Sequence, residues 1–330
     1  MAESDYSKAS VLLFDPVHLN QRTTRYALHE IGFRKIEAVT SLADLKTFLS
    51  DATPDLLVAE SGATDMDVFK IVRSIRRGEL GLNPFMVILL TTWIRDTNHI
   101  RRGIECGADD LIVRPFSTTF AEERVRSLVR KRKEFIVTSD YVGPDRRKDA
   151  NRSSDIQGLE VPNMLQAQVD GDESALAKGA GWVKEAREAV TNERIRRLAM
   201  RNVIAAELFL SHDEANGPRP ALDFDDIDRT TREMHAHLFK ANRSEAVEIT
   251  AVLLDQIKSL RRAGEGLMAG AKLIKELSMG AYAAFADMRS VEDSRDEIGR
   301  TVAGLRKRLQ SRAQPASGHA AEAGIKRAAM

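Results

Sequence analysis

The chain has 330 residues, more than one ordinary domain needs, which predicts two domains. Hydrophobic residues make up 43% of it, enough for real cores, yet no apolar run approaches the roughly 18 residues of a membrane-spanning helix. The first ten residues lack the basic stretch and apolar block of a secretory signal. The formal net charge is +1 and gives no overall attraction to nucleic acid. Composition therefore excludes a membrane protein, and we expect a cytoplasmic one.

The single cysteine, Cys106, cannot form a disulfide within the chain and fits a reducing compartment. No histidine-based activation can be argued around this thiol, so it lacks the surroundings of a nucleophile. We interpret Cys106 as a small core residue.

Residues 10–135 alternate short apolar runs with amphipathic stretches. The strand-like runs are residues 11–14, 35–39, 56–59, 86–90 and 111–113. The helical patterns between and after them are residues 20–31, 42–49, 68–75, 97–104 and 120–133. Five alternations with short connections predict an α/β fold, a doubly wound five-stranded parallel sheet with helices on both faces. Ligands of such sheets gather beyond the carboxyl ends of the strands, where Asp15, Glu60, Thr91 and Thr92 fall.

The next stretch, residues 136–173, loses this periodicity and holds several glycines, prolines and charges. It is longer than most connections inside a compact domain. We interpret it as a linker, or as an arm lying over a neighbour, and we place the preceding domain at residues 9–135.

After Ser174 the strand signals stop. Apolar residues recur at spacings of three and four over residues 175–209, 224–240, 244–260 and 267–309. Apolar stripes on successive helices would bury against each other, which predicts a C-terminal all-α helical bundle over residues 174–310. The last stretch, residues 311–330, is rich in alanine and glycine without an apolar face, and this predicts a disordered tail.

Three segments resemble the receiver domain of two-component response regulators: VLLFD at residues 11–15, PDLLVAE at 54–60 and CGADDLIVRPF at 106–116. The resemblance covers residues 9–135 and implies the flavodoxin-like receiver fold. Members of this family carry an acidic pair after the first strand, an acceptor aspartate after the third, a threonine or serine after the fourth, and Lys-Pro after the fifth. The matching residues here are Asp15-Pro16, Glu60, Thr91 or Thr92, and Arg114-Pro115.

Two threonines compete for the hydroxyl position. Counting back from Arg114 in the family's usual spacing selects Thr92, whereas the strand pattern favours Thr91. Trp93 follows where a small residue is usual, so a shift by one residue also fits the pattern. Both threonines therefore remain candidates.

The resemblance implies phosphorylation of the acceptor with the help of Mg²⁺, and two departures oppose it. Pro16 removes one ligand and leaves Asp15 alone, so the metal site is incomplete. Glu60 is longer than aspartate by a methylene, and a misplacement of about 1 Å can cost on the order of 10²-fold in rate. We therefore doubt a role for Mg²⁺ and expect no cofactor.

Arg114 keeps the positive charge of the family's lysine, although its planar fork is not equivalent to an ammonium group. It could form a two-point ion pair with Glu60 without any phosphate. Three interpretations of Glu60 follow: a constitutive mimic of the phosphorylated state held by Arg114 and a threonine hydroxyl, a degenerate site without a signalling state, or residual phosphorylation at Glu60 or another acid.

Two further features lie outside the receiver match. The segment GPDRR, residues 143–147, resembles a short motif that follows receiver domains in some alphaproteobacterial signalling proteins, and its arginines could pair with acids on the receiver or on a partner. Neither a helix-turn-helix pattern nor interleaved aromatics accompany it, so nucleic-acid binding is not expected. In the helical half, His235 and His237 point to different helix faces, which excludes a metal pair.

The sequence thus predicts a cytoplasmic two-component signal transduction protein. It would be an atypical response regulator that acts by protein–protein docking, without efficient phosphorylation and without enzymatic turnover. Expected partners are signalling proteins, either a histidine kinase or a downstream regulator, with a homodimer as an alternative and no membrane partner. The alternative functions are a genuine phosphoacceptor charged by a histidine kinase, and histidine phosphotransfer by the bundle.

Overall fold

The computed structural model of the chain describes residues 5–63, 67–147, 158–212, 219–263, 266–286, 291–296, 298–300 and 302–304. The chain divides into two compact units, Met1–Thr191 and Asn192–Met330. The domain ends predicted at residues 135, 173 and 310 do not coincide with this division and stay predictions. The tail predicted to be disordered, residues 311–330, lies outside the described residues.

The first unit contains a five-stranded sheet in which every neighbouring pair is parallel. Its strands are β1 (Ser10–Phe14), β2 (Lys35–Val39), β3 (Leu56–Glu60), β4 (Val87–Thr92) and β5 (Asp110–Val113), in the order β2-β1-β3-β4-β5. The helices that alternate with them are α1 (His18–Ile31), α2 (Leu42–Asp51), α3 (Val68–Arg76), α4 (Thr97–Glu105) and α5 (Thr118–Arg130). The predicted doubly wound sheet is confirmed, although α5 ends at Arg130 and not at residue 133.

Side chains alternate between two cores because successive residues of a strand point to opposite faces of the sheet. Val11 and Leu13 of β1 enter the core beneath α1 and α5, whereas Leu12 and Phe14 enter the core beneath α2 and α3. Each of these four residues is buried. Strands that are apolar on both faces are typical of a parallel sheet covered by helices.

Capping residues determine where the helices begin. Ser41, Asp67, Asp96 and Ser117 precede α2, α3, α4 and α5, and each side chain accepts a hydrogen bond from the backbone N–H three residues on. Helix α1 ends at Gly32, whose φ of +119° lies in the left-handed region that favours glycine. These caps place the helix starts close to the carboxyl ends of the strands.

The stretch predicted as a linker or arm, residues 136–173, contains regular structure in its described part. Three short elements follow α5: β6 (Phe135–Val137), β7 (Val142–Pro144) and α6 (Met164–Asp170). Strands β6 and β7 form an antiparallel hairpin. Phe135 packs with Phe85, which precedes β4, and Leu165 of α6 joins the core beneath α1 and α5. The hairpin and α6 therefore pack on the sheet and helices of the first unit.

The second unit is helical. The remaining helices are α7 (Glu173–Leu210), which contains the division between the units, α8 (Phe224–Lys240), α9 (Ser244–Ala263) and α10 (Leu267–Ala283). Ile227 and Met234 of α8 are buried in one core with Leu253 and Ile257 of α9, as their spacing predicts. Of the stretch predicted as helical over residues 267–309, the structure has α10 and further helical residues at 291–296, 298–300 and 302–304, with a break after Ala283. None of the helices in the described ranges is long and apolar enough to cross a bilayer.

Candidate functional site

The carboxyl ends of neighbouring strands bring the predicted site residues together. Glu60 ends β3 and pairs in register with Thr91 of β4. Arg114 follows β5 directly and donates its backbone N–H to the carbonyl oxygen of Thr92 at 2.7 Å. Asp15 follows β1. We call Asp15, Glu60, Thr91 and Arg114 the carboxyl-end cluster, and each of its four residues is at most 4% exposed.

The Arg114 guanidinium bridges two carboxylates. Its Nε donates to Glu60 Oε2 at 3.1 Å, and its Nη2 donates to Asp15 Oδ2 at 3.3 Å. The same Nη2 lies 2.6 Å from Thr24 Oγ1 on α1 and 3.2 Å from Thr91 Oγ1. The predicted two-point ion pair with Glu60 is therefore wrong. Arg114 contacts Glu60 through Nε, whereas its Nη2 contacts Asp15 and two threonine hydroxyls.

Glu60 is anchored by three donors and does not reach into water. Thr91 donates its hydroxyl to Glu60 Oε2 at 2.9 Å, beside the contact from Arg114. The backbone N–H of Gly62 donates to Glu60 Oε1 at 2.9 Å. Both carboxylate oxygens are thus engaged inside the protein, and charge-assisted hydrogen bonds of this kind are stronger than neutral ones.

The two candidate threonines lie on opposite faces of the sheet, since neighbours in a strand alternate. Thr91 faces the carboxyl-end cluster. Thr92 instead has its Oγ1 3.1 Å from His99 Nε2, and it accepts the backbone N–H of Ile94 at 3.1 Å. The hydroxyl that contacts Glu60 is therefore the one that the strand pattern favoured, while the one chosen by spacing contacts a histidine.

His99, on α4, connects this helix to the ends of two strands. Its Nε2 lies 3.2 Å from Ser61 Oγ and 3.1 Å from Thr92 Oγ1. Burial lowers the pKa of His99, and Arg102 lowers it further against the opposing effect of Asp96. The ring is therefore neutral at pH 7, and it holds α4 to β3 and β4 without adding charge.

Asp15 closes a turn over Pro16. Its Oδ1 accepts the backbone N–H of Val17 at 2.9 Å, which makes an Asx turn. Burial raises the pKa of Asp15 and Glu60 raises it further, whereas the N–H of Val17 and the charge of Arg114 oppose the rise. One arginine shared by two buried carboxylates leaves the cluster with an excess of negative charge.

Three residues of the site went unnoticed in the sequence: Thr24, Gly62 and His99. Thr24 lies one helical turn before the buried pair Ala27 and Leu28 on α1, so its inward position could have been found from that spacing. A Cβ at Gly62 would lie 2.9 Å from Glu60 Oε1, which explains why this residue is a glycine. No sequence pattern indicates this contact. His99 gives no signal beyond its place in α4, because its partners come from other strands.

A magnesium ion does not fit this arrangement. Mg²⁺ requires available oxygen lone pairs in near-octahedral geometry at about 2.0–2.1 Å. Asp15 and Glu60 already accept hydrogen bonds from backbone N–H groups, and the cationic head of Arg114 lies between them. Among the residues that the structure describes, no group of three or more Asp, Glu, His or Cys side chains could hold a metal ion. Asp15, the predicted metal residue, contacts Arg114 instead.

The remaining predicted residues surround the cluster or lie away from it. Pro115 follows Arg114 through a cis peptide bond, and the guanidinium carbon of Arg114 lies 5.1 Å from the centre of the Phe116 ring. Asp55, at the opposite end of β3, accepts the backbone N–H of Ser10 at 2.8 Å. It therefore serves the amino end of the sheet.

The histidines of the second unit make contacts within their own bundle. His235 Nδ1 lies 2.8 Å from Thr250 Oγ1, and His237 Nε2 lies 3.7 Å from a carboxylate oxygen of Glu233. Both are half-buried. His235 thus contacts a residue of α9, and His237 contacts a residue of its own helix.

No family model matches the chain. The transcriptional regulatory protein CusR of Escherichia coli K12 is 34% identical over 87 residues, which is 26% of this chain and 37% of that protein. The phosphate regulon transcriptional regulatory protein PhoB of Rhizobium meliloti is 28% identical over 116 residues, or 35% of this chain and 49% of that one. A response regulator signal receiver domain from Bermanella marisrubri is a structural neighbour at 20% identity and a TM-score of 0.33, covering 36% of this chain and 97% of that one.

Strand order and sequence similarity agree for one part of the chain. The N-terminal part has a response regulator receiver domain. The chain spans about half or less of the length of the curated relatives named above. The similarity is therefore limited to the receiver domain and gives no information on the remaining parts of those relatives.

Proposed function

We propose that this protein is an atypical response regulator of two-component signalling that acts by protein–protein docking, without efficient phosphorylation and without turnover. The observation that carries the proposal is the buried bridge from Arg114 to Glu60 and Asp15. The receiver resemblance implies that the family's lysine contacts the phosphoryl group in the activated state. Here the carboxylate of Glu60 supplies negative charge to Arg114 permanently.

The contacts of Glu60 also argue against phosphoryl transfer. Transfer to a carboxylate depends on positioning and on stabilising charge in the transition state. Each oxygen of Glu60 already accepts a hydrogen bond from a fixed donor, and Arg114 bridges the two carboxylates that would otherwise be open to a metal ion. A phosphoryl donor would have to displace these contacts before it could react.

Docking partners follow from the receiver domain. We propose a histidine kinase or a downstream regulator in the cytoplasm as the partner, with a second copy of this chain as the alternative, and α4 and α5 as the contact surface. CusR and PhoB are named as transcriptional regulatory proteins, but the match covers less than half of each. DNA binding is therefore not part of the proposal.

Incubation of the full-length protein with acetyl phosphate and Mg²⁺, followed by intact mass spectrometry, tests the proposal. We expect no phosphorylated species from the natural sequence. The positive control is the triple variant Pro16→Asp, Glu60→Asp, Arg114→Lys, which restores the family's residues and should acquire a base-labile acyl phosphate. It shows that the surrounding fold is competent.

Two results would favour the alternatives. Incorporation into the natural protein that disappears in Glu60→Ala would make it a genuine phosphoacceptor. Acid-labile phosphate on His235 or His237, after mixing with a phosphorylated receiver, would make the bundle a phosphotransfer domain.

A further inference from the structure

The GPDRR segment, residues 143–147, lies outside the carboxyl-end cluster but makes well-defined contacts. It begins in β7 and continues beyond that strand. Tyr141 donates its hydroxyl to the carbonyl oxygen of Pro144 at 2.8 Å, and the N–H of Asp145 donates to the carbonyl oxygen of Glu134 at 2.8 Å. Burial raises the pKa of Tyr141 to about 12, so its hydroxyl keeps the donated proton. The hairpin is therefore stabilised by hydrogen bonds among its own residues and the residues that flank it.

Two glycines let the hairpin touch the receiver backbone. Gly107, in the connection between α4 and β5, has a φ of +98°, and a Cβ there would lie 2.6 Å from the carbonyl oxygen of Val142. A Cβ on Gly143 would lie 2.8 Å from the Cα of Gly107. Both distances are shorter than real Cβ contacts, so the two backbones can approach this closely only because both residues are glycine.

Arg146 continues this contact toward β5. Its Nη2 donates to the carbonyl oxygens of Ala108 and Asp109, each at 2.6 Å. These two residues directly precede the strand. Arg147, its neighbour in the chain, instead pairs with Asp145 at 2.6 Å. Arg146 thus contacts the receiver backbone, and Arg147 pairs with an acid of the motif itself.

The side chain of Asp109, like its backbone carbonyl, is also held by hydrogen bonds. Asp109 Oδ2 accepts from Arg76 Nη2 at 2.6 Å and from the backbone N–H of Ile88 at 2.8 Å, while Oδ1 accepts from Arg132 Nε at 2.9 Å. The guanidinium carbons of Arg76 and Arg132 each lie 5.1 Å from the centre of the Phe135 ring in β6. We call Arg76, Asp109 and Arg132 the amino-end cluster, and the hairpin packs directly on it.

Strand β5 joins the two clusters, because its 4 residues run from Asp110 to Val113 between Asp109 and Arg114. We infer that the GPDRR segment is an internal clamp that positions Arg114 through β5, with Arg146 as its positioning residue. The clamp holds the amino end of the strand, and the strand then presents Arg114 to Glu60 at its carboxyl end. The significance of Arg114 for signalling rests on the proposed function, whereas the clamp can be tested without it.

The test uses the full-length protein labelled with ¹⁵N and follows the Nε–Hε signal of Arg114, identified by its loss in Arg114→Lys. In Arg146→Ala we expect this signal to shift and to exchange with water faster by about tenfold, because the charged donor that binds both carbonyl oxygens is lost. Arg146→Lys, which keeps a donor near both carbonyl oxygens, should restore the natural signal. Arg147→Ala is the matched control, and its Arg114 signal should equal that of the natural protein.

The inference is overturned if Arg146→Ala melts at a lower temperature while its Arg114 signal stays unchanged, because the clamp would then support only the fold. An equal shift in Arg147→Ala would overturn it as well. Should Arg146→Ala not fold, Arg146→Gln retains one donor and is read in the same way. Phosphorylation of the natural protein by acetyl phosphate would refute the proposed function, whereas the Arg114 signals are recorded without any phosphoryl donor, so the two failures are distinguishable.

Discussion

The two ends of β5 hold buried arginine–carboxylate clusters of opposite composition. At the carboxyl end two carboxylates share Arg114, whereas at the amino end two arginines share Asp109. Burial raises the pKa of Asp15 at the carboxyl end, and Arg114 does not offset it. Burial also acts to raise the pKa of Asp109, but Arg132 and Arg76 together outweigh it and hold that pKa below its usual value.

The ratio of charges, and not burial alone, therefore separates a cluster whose acid has a lowered pKa from a cluster whose acid has a raised pKa. Asp109 has two cationic partners, and its lowered pKa favours the ionised form. Burial lowers the pKa of Arg76 to about 10, which still leaves it charged at neutral pH. The carboxyl-end cluster retains an excess of negative charge, so its balance depends on the single cation of Arg114.

Removing the shared acid should give the largest effect. In Asp109→Ala the buried charges of Arg76 and Arg132 lose their anionic partner and keep only backbone carbonyl oxygens as acceptors, and we expect a loss of about 4 kcal/mol in the free energy of unfolding. Urea unfolding at neutral pH measures it. Asp110→Ala is the control, since its pair with Arg124 is partly exposed and is worth about 0–1 kcal/mol. Similar losses in both variants would break the contrast between the clusters.

Removing the shared cation should give a smaller effect that depends on pH. In Arg114→Met two buried carboxylates lose their partner, and we expect a loss of about 3 kcal/mol at pH 7. The loss should shrink toward pH 4, because the raised pKa of Asp15 lets its carboxylate take up a proton and lose the unpaired charge. Unfolding by urea at both pH values, with Arg124→Met as the exposed control, measures it. A loss that stays the same at both pH values would mean that the charge of Asp15 does not depend on Arg114.

The two acids should also affect stability with opposite signs. The lowered pKa of Asp109 means that its stabilisation is present above the unfolded value of 3.8 and is lost as pH falls through the folded value. The raised pKa of Asp15 means that its contribution is fully present below 3.8 and is lost as pH rises through the folded value. Unfolding free energies of Asp109→Asn and Asp15→Asn, compared with the natural protein across acidic pH, should differ in slope with opposite sign. Parallel slopes would refute the assignment.

The smallest predicted difference separates the neighbouring threonines. Thr91→Val removes a hydroxyl between Glu60 and Arg114 and should cost about 2 kcal/mol, because its partners are charged. Thr92→Val removes a contact with neutral His99 and should cost about 1 kcal/mol. Only Thr91→Val should shift the Arg114 Nε–Hε signal. A larger shift in Thr92→Val would reassign the hydroxyl of the cluster.

The contrast between the clusters also shows what the sequence could predict. The doubly wound sheet followed from local apolar runs, and the carboxyl ends of its strands placed Asp15, Glu60, Thr91 and Thr92 close together. Arg114 was indicated only by the receiver resemblance. The contacts of Arg114 could not be predicted in the same way. Thr24 and Asp15 share its Nη2, and both lie far from Arg114 in the sequence. The expected two-point contact with Glu60 failed for this reason.

The amino-end cluster was less visible. Strands β6 and β7 have only three residues each, and contacts with distant residues such as Gly107 stabilise them. Their apolar runs are too short to give a period, so residues 136–173 were predicted as a linker or arm. The sequence shows the GPDRR motif, but only the structure assigns separate partners to Arg146 and Arg147.

A crystal structure of the protein grown with Mg²⁺ and beryllofluoride tests the central claim most directly. Beryllofluoride occupies phosphoacceptor sites, so it competes for the place that Glu60 fills. We predict that Arg114 still bridges Glu60 and Asp15, with neither the metal nor the fluoride bound between them. A magnesium ion coordinated by both carboxylates, with Arg114 displaced onto a bound beryllofluoride, would contradict the account.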